Sequence, residues 1–117
     1  LSQLRTADDP SGPKLLLLDE PTASLDLGHQ LRVLELVKRL AASGTSIVVV
    51  IHDLNLAAML ATRVAMMKRG AVVATGRPGE VIANDIIESV FGVTNSVGVL
   101  PDGTVPFVLP QSMRICE

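Results

Sequence analysis

Residues 14–22 read KLLLLDEPT, and residues 45–53 read TSIVVVIHD. Each is an apolar run that ends in side chains able to carry charge: Asp19 and Glu20 after the first, His52 and Asp53 after the second. A short continuous apolar run bounded by turn residues predicts a strand buried on both faces, as in a parallel sheet. Residues 7–13 (ADDPSGP) form a turn-rich loop before the first run, and Pro21 ends it. The second run, Thr45–Ile51, is rich in β-branched residues, which favour strands. Between the two, Leu27, Leu31, Leu34, Val37 and Leu40 recur at helical spacing, with Arg32, Glu35, Lys38 and Arg39 on the other faces. That helix starts at Asp26 and stops near Ser43–Gly44, where glycine takes a left-handed cap at little cost. Strand, helix, strand at this length is one crossover unit, which predicts two parallel strands with the helix packed on the sheet.

The remainder predicts smaller pieces. Asp53–Ala61 (DLNLAAMLA) reads as a helix with Asp53 as its N-cap. Arg63–Lys68 and Ala71–Thr75, joined by Arg69–Gly70, read as a tight hairpin. Residues 78–92 carry a short amphipathic helical pattern ending at Gly92, and Val97–Leu109 reads as a last hairpin turning at Pro101-Asp102-Gly103. Leu1–Arg5 is too short to assign by itself. The fold class is therefore α/β: parallel strands with a crossover helix, followed by β-hairpins and short helices.

Composition narrows the function. The chain has 117 residues, a net charge of −2, an apolar fraction of 48%, no Trp and no Tyr. One small unit with an aliphatic core fits these values, and disorder does not. Leu15–Leu18 and Ile47–Ile51 are far shorter than the roughly 20 residues that cross a bilayer. Mild acidity without a basic face argues against nucleic acid as a partner. The lone Cys116 excludes an internal disulfide framework.

Asp19 and Glu20 stand where ligands of an open parallel sheet bind, off the carboxyl ends of the strands. Successive residues of an extended chain point to opposite sides, so two adjacent acids can serve two partners, one a cation and the other a water. A plain alternative is that both are solvated loop residues or caps. The neighbouring strand ends in His52-Asp53, and the two ends together suggest phosphate and metal chemistry, although His52 alone would equally suit a structural cap.

Leu15–Leu18 followed by Asp19-Glu20-Pro21-Thr22, then Ser24-Leu25-Asp26, then a β-branched strand ending at His52-Asp53, resembles the second half of an ABC-type ATPase subunit. The resemblance implies the fold of a P-loop NTPase and ATP and Mg²⁺ as cofactors. It gives Asp19 as the Walker B acid, acting on Mg²⁺ through water, and Glu20 as the residue that positions the attacking water. It gives Ser24-Leu25-Asp26 as the D-loop and His52 as the switch that contacts the γ-phosphate. Asp26 either faces a partner subunit across the nucleotide, caps the helix that follows, or does both. The family's GxxxxGK[ST] loop, Q-loop and LSGGQ-like signature are not in the sequence, and Leu1–Leu4 (LSQL) looks like the tail of the helix after the signature. The chain opens on Leu1, and the resemblance implies that residues 1–117 are the C-terminal portion of a single ABC ATPase domain.

Within the family, the stretch HDLNLAA (residues 52–58) looks like importers of ferric siderophores, haem and vitamin B12, as does GRPGEV (residues 76–81) after the hairpin. The lengthened loop Ala7–Pro13 and the tail from Phe91 to Pro110 lean toward haemin importers. The partners so implied are a second copy of the subunit, integral membrane permease subunits and, indirectly, a periplasmic haem-binding protein. The implied location is the cytoplasmic face of the bacterial inner membrane, held peripherally. An ABC-type ATPase of DNA repair or chromosome organisation shares the same motifs. The absence of long heptads and of a basic face counts against it. His29 and the four methionines read as core or surface residues, not as haem ligands.

Overall fold

The computed structural model describes residues 4–6, 14–94 and 97–116, the first three by their backbone alone. The loop of residues 7–13 and Leu1–Gln3 lie outside the described residues. The chain divides into two compact units, residues 1–56 with 109–117, and residues 57–108.

The first unit contains the crossover. Strand β1 (Leu4–Thr6), strand β2 (Leu15–Asp19), helix α1 (Leu27–Ala42) and strand β3 (Ser46–Val50) follow in order. The sheet order is β1-β2-β3. β2 and β3 run parallel, with Leu16 opposite Ile47, Leu18 opposite Val49 and Asp19 opposite Val50. β1 pairs antiparallel with β2, Leu4 lying opposite Leu18. This corrects the assignment of Leu4 to a helix tail. An unpaired edge of β2 would leave a row of backbone donors and acceptors open, and three residues of β1 satisfy part of it.

α1 packs against β3 and buries Leu31, Leu34 and Val37. Each such side chain contributes about 1.5–3 kcal/mol by leaving water. Asp26 caps the helix, its carboxylate accepting from the His29 backbone N–H. Ser43 closes it and Gly44 follows with φ +102°.

Burial of the strands departs from the expectation. Along β2 only Leu16 and Leu18 are buried while Leu15 and Leu17 are exposed, and in β3 Val48 and Val50 are exposed. One helix layer lies on the sheet among the described residues, so on one face Leu16 and Leu18 are buried and Ile47 and Val49 half-buried, while the other face is open. Continuous apolar strands call for cover on both faces.

Helix α2 (Leu54–Leu60) begins in the first unit, capped by Asp53, whose Oδ1 accepts from the backbone N–H groups of Asn55 at 2.9 Å and Leu56 at 3.1 Å. Leu56 is among the most completely buried side chains. After a 52-residue excursion the chain returns to this unit at Leu109. Pro110 is buried in a single 3-10 turn, Pro110–Ser112.

In the second unit, strands β4 (Val64–Lys68) and β5 (Ala71–Gly76) form the antiparallel hairpin read from sequence. Arg69 and Gly70 both have positive φ, +52° and +77°, as the tight turn requires. The pattern of residues 78–92 resolves into two helices, α3 (Pro78–Val81) and α4 (Asn84–Phe91), which bury Val81 and Ile87. Gly92 ends α4 at φ +72°. Lys68 Nζ donates to the Ser89 carbonyl of α4 at 2.6 Å. The hairpin expected over Val97–Leu109 does not form: the described residues there hold no strand. Pro101 and Pro106 have no N–H to give to a ladder, which removes two of its bonds.

Candidate functional site

Asp19, Glu20 and His52 stand where β2 and β3 end. The ladder continues one step past β2, the Glu20 N–H donating to the Val50 carbonyl at 2.8 Å. There the backbone turns sharply, Glu20 taking φ +53°. A left-handed conformation in a residue with a Cβ costs on the order of 1–2 kcal/mol and is held only where the surroundings impose it. Here the imposing elements are the Val50 bond behind Glu20 and a tight turn ahead of it. In that turn the Ala23 N–H reaches the Glu20 carbonyl at 3.2 Å and Thr22 is buried. The chain thus leaves the sheet at Glu20, one residue before the proline.

On the neighbouring strand Ile51 and His52 carry the chain from Val50 to the cap of α2. The parallel register brings the two ends together, and His52 Nε2 lies 2.9 Å from Glu20 Oε1. The Glu20 side chain is largely covered, at 28% exposure, whereas the imidazole is 89% exposed. A carboxylate whose inner oxygen lies beside a histidine on a wet rim is suited to orient or accept a proton from a water molecule.

Asp19 is the last residue of β2 and is exposed on the face that also carries Leu15 and Leu17. Glu20 is instead turned to His52, so the two adjacent acids do occupy different surroundings. Ser24 is exposed at φ +64°. Asp26 is engaged with its own helix: besides capping it, Oδ1 lies 2.8 Å from His29 Nδ1. The His29 backbone N–H, then its ring, hold the Asp26 carboxyl below the usual aspartate range. Of the five candidates the structure thus joins Glu20 with His52 and leaves Asp26 occupied elsewhere. Among the described residues no three His, Cys, Asp or Glu side chains form a group able to hold a metal ion.

Near the candidate residues, the Asp26–His29 pair and the Gln111–Asn55 bond escaped the sequence reading. The Asp26–His29 pair had a signal, since residues three apart share a helix face. The bond from Gln111 Nε2 to Asn55 Oδ1, 2.9 Å across 56 residues, had none.

No family model matches the chain. It is 49% identical over 100 residues to the hemin import ATP-binding protein HmuV of Mesorhizobium japonicum, covering 86% of this chain and 38% of that protein. The protein of the same name from Rhodopseudomonas palustris strain BisB5 is 50% identical over 111 residues, 95% of this chain and 42% of that one. Its counterpart from Nitrobacter winogradskyi is 45% identical over 114 residues, 97% and 42%. The chain thus spans about two fifths of the length of these curated relatives. Among solved structures, a metal-chelate type ABC transporter in an inward-facing conformation matches with a TM-score of 0.64 at 27% identity, over 68% of this chain and 32% of that one. The protein cbiO1 of Clostridium perfringens, part of the ABC transporter complex cbiONQ, matches with a TM-score of 0.53 at 30% identity, over 67% and 33%. With acids and a histidine at the ends of parallel strands, and with these sequences and folds as its likenesses, the chain belongs to the ATP-binding proteins of ABC transporters, whose fold is that of the P-loop NTPases.

Proposed function

We propose that this chain is the C-terminal portion of the ATP-hydrolysing subunit of an ABC importer that powers haemin uptake. The observation that carries the reading is the 2.9 Å contact between Glu20 and His52 across the ends of β2 and β3. Hydrolysis of a triphosphate needs an aligned water and neutralised phosphate charge more than covalent help. Glu20 orients or deprotonates the water, with its inner oxygen beside His52. His52, exposed on the rim, hydrogen-bonds the terminal phosphate.

Asp19 suits Mg²⁺ by the chemistry of its surroundings. A single exposed carboxylate fits an ion that keeps most of its water shell and takes its other oxygens from the nucleotide. When bound, the ion neutralises charge on the departing phosphates. Ser24, exposed, is open to a second copy of the subunit across the nucleotide, and Asp26 meets that copy with the carboxylate oxygen that does not cap α1.

The partners in this reading are that second copy, membrane permease subunits and, through them, a periplasmic haem-binding protein. The site of action is the cytoplasmic face of the bacterial inner membrane. Among the described residues no helix is long and apolar enough to cross a membrane. Haemin as cargo is supported by the names of the relatives. A second cargo class, a ferric siderophore or vitamin B12, is favoured by the likeness to a metal-chelate type transporter.

The test is ATP turnover by the complete polypeptide that joins these residues to a phosphate-binding loop, alone and with its permease in vesicles. Turnover lost in Glu20→Gln, and uptake of haemin that follows ATP, are expected. Robust turnover by the 117-residue chain without a phosphate-binding loop, abolished by Glu20→Gln, would overturn the reading.

A further inference from the structure

We propose that Gln111 is a positioning residue for His52, acting through Asn55 on the first turn of α2; the inference rests on the function proposed above. The segment that carries Gln111 belongs to the same compact unit as β2 and β3, although 52 residues of another unit separate it from Leu56 in sequence. It is pinned by buried Pro110 and by a closed 3-10 turn, the Ser112 N–H donating to the Leu109 carbonyl at 3.0 Å and the Met113 N–H to the Pro110 carbonyl at 3.2 Å. From that turn Gln111 Nε2 donates to Asn55 Oδ1 at 2.9 Å.

Asn55 is no neutral anchor. Its backbone N–H and that of Leu56 both donate to Asp53 Oδ1, and Asp53 is covalently next to His52. The imidazole itself is 89% exposed, so few neighbours fix its orientation. What fixes it is the backbone that enters α2, together with the contact to Glu20. A strap on the first turn of α2 therefore constrains the ring that faces Glu20. Gln111 touches neither Glu20 nor His52, and its effect is expected to be one of alignment, not of binding.

The experiment uses the complete polypeptide with ¹⁵N-labelled histidine, the two ring signals being assigned by His29→Gln and His52→Gln. In Gln111→Ala the ring signal of His52 is expected to move while that of His29 stays. The kcat for ATP is expected to fall by roughly 3- to 10-fold with KM unchanged within about twofold. Asn55→Ala should move the same signal. Gln111→Glu should restore it, because Asn55 can rotate its amide and donate from Nδ2 to the new carboxylate. A His52 signal that stays in place in Gln111→Ala overturns the proposal. So does a joint shift of both histidines with loss of helical circular dichroism, which would make the strap merely structural. If the polypeptide hydrolyses no ATP at all, the proposed function falls, while the His52 signal still decides this inference.

Discussion

Two acid–histidine pairs lie within the first unit, and they are made in opposite ways. Asp26 and His29 stand three residues apart at the start of one helix, both exposed, at 2.8 Å. Glu20 and His52 stand 32 positions apart in sequence and meet at 2.9 Å because β2 and β3 run parallel in register. The local pair exists wherever α1 exists. The distant pair exists only if the sheet does, and its carboxylate is mostly withdrawn from water. The first serves a helix end, and the second is the pair we propose to serve a ligand.

That contrast can be broken by substitution. The largest difference is expected in ATP turnover by the complete polypeptide. Glu20→Gln should lower kcat by about 10²- to 10⁴-fold, the usual worth of a positioned acid or base, and Asp26→Asn by no more than a few fold. Equal losses would erase the distinction between the pairs.

Next comes the scaffold under the distant pair. Leu34 is 3% exposed in the core that α1 shares with the sheet. Leu34→Ala should destabilise the protein by about 2–5 kcal/mol in chemical denaturation, through lost transfer energy and the cavity left behind. A change below 1 kcal/mol, by the same measure, would mean that α1 does not hold the strands.

Ser24 sits on the link between the two pairs at φ +64°. Ser24→Gly relieves a left-handed conformation at the cost of glycine's chain entropy, and a net gain of about 0.5–1 kcal/mol is expected in the denaturation midpoint. A loss would show that the serine hydroxyl holds the turn.

The smallest effect is the pH dependence of the local pair. The Asp26 carboxyl is held below its ordinary value of 3.8, first by the His29 backbone N–H and then by the His29 ring. A depressed native value means that the contribution to stability is fully present above the unfolded value and fades as pH falls through the native one. Below about pH 3.8 the helical signal of α1 should therefore weaken in the parent and be less sensitive to acid in Asp26→Asn. A steeper acid loss in Asp26→Asn would contradict the assignment.

Much of this arrangement was legible in sequence because its causes are local. The crossover followed from periodicity, since Leu31, Leu34 and Val37 fall on one face and are the residues buried. Both caps, Asp26 and Asp53, were readable from residue type next to an apolar pattern. The Glu20–His52 meeting was readable because each residue follows the end of a strand whose partner was already implied. What stayed hidden depends on partners distant in sequence. Leu15 and Leu17 were expected to be buried and are exposed, because residue type shows that cover is called for but not whether a second layer supplies it. The strand at Leu4 is set by the open edge of β2 rather than by its own three residues. Pro101 and Pro106 outweighed a turn signal that would otherwise have made a hairpin. The bond from Gln111 to Asn55 joins two amides with no pattern in common.

The central claim is that the side-by-side ends of β2 and β3 make Glu20 and His52 act as one device on a triphosphate. A double-mutant cycle on single-turnover ATP hydrolysis by the complete polypeptide tests it, with Glu20→Gln, His52→Ala and both together. If the two residues act as a unit, the double variant will be no slower than the slower single variant, within about twofold. Losses that multiply across the cycle would mean that the 2.9 Å contact has no part in the chemistry.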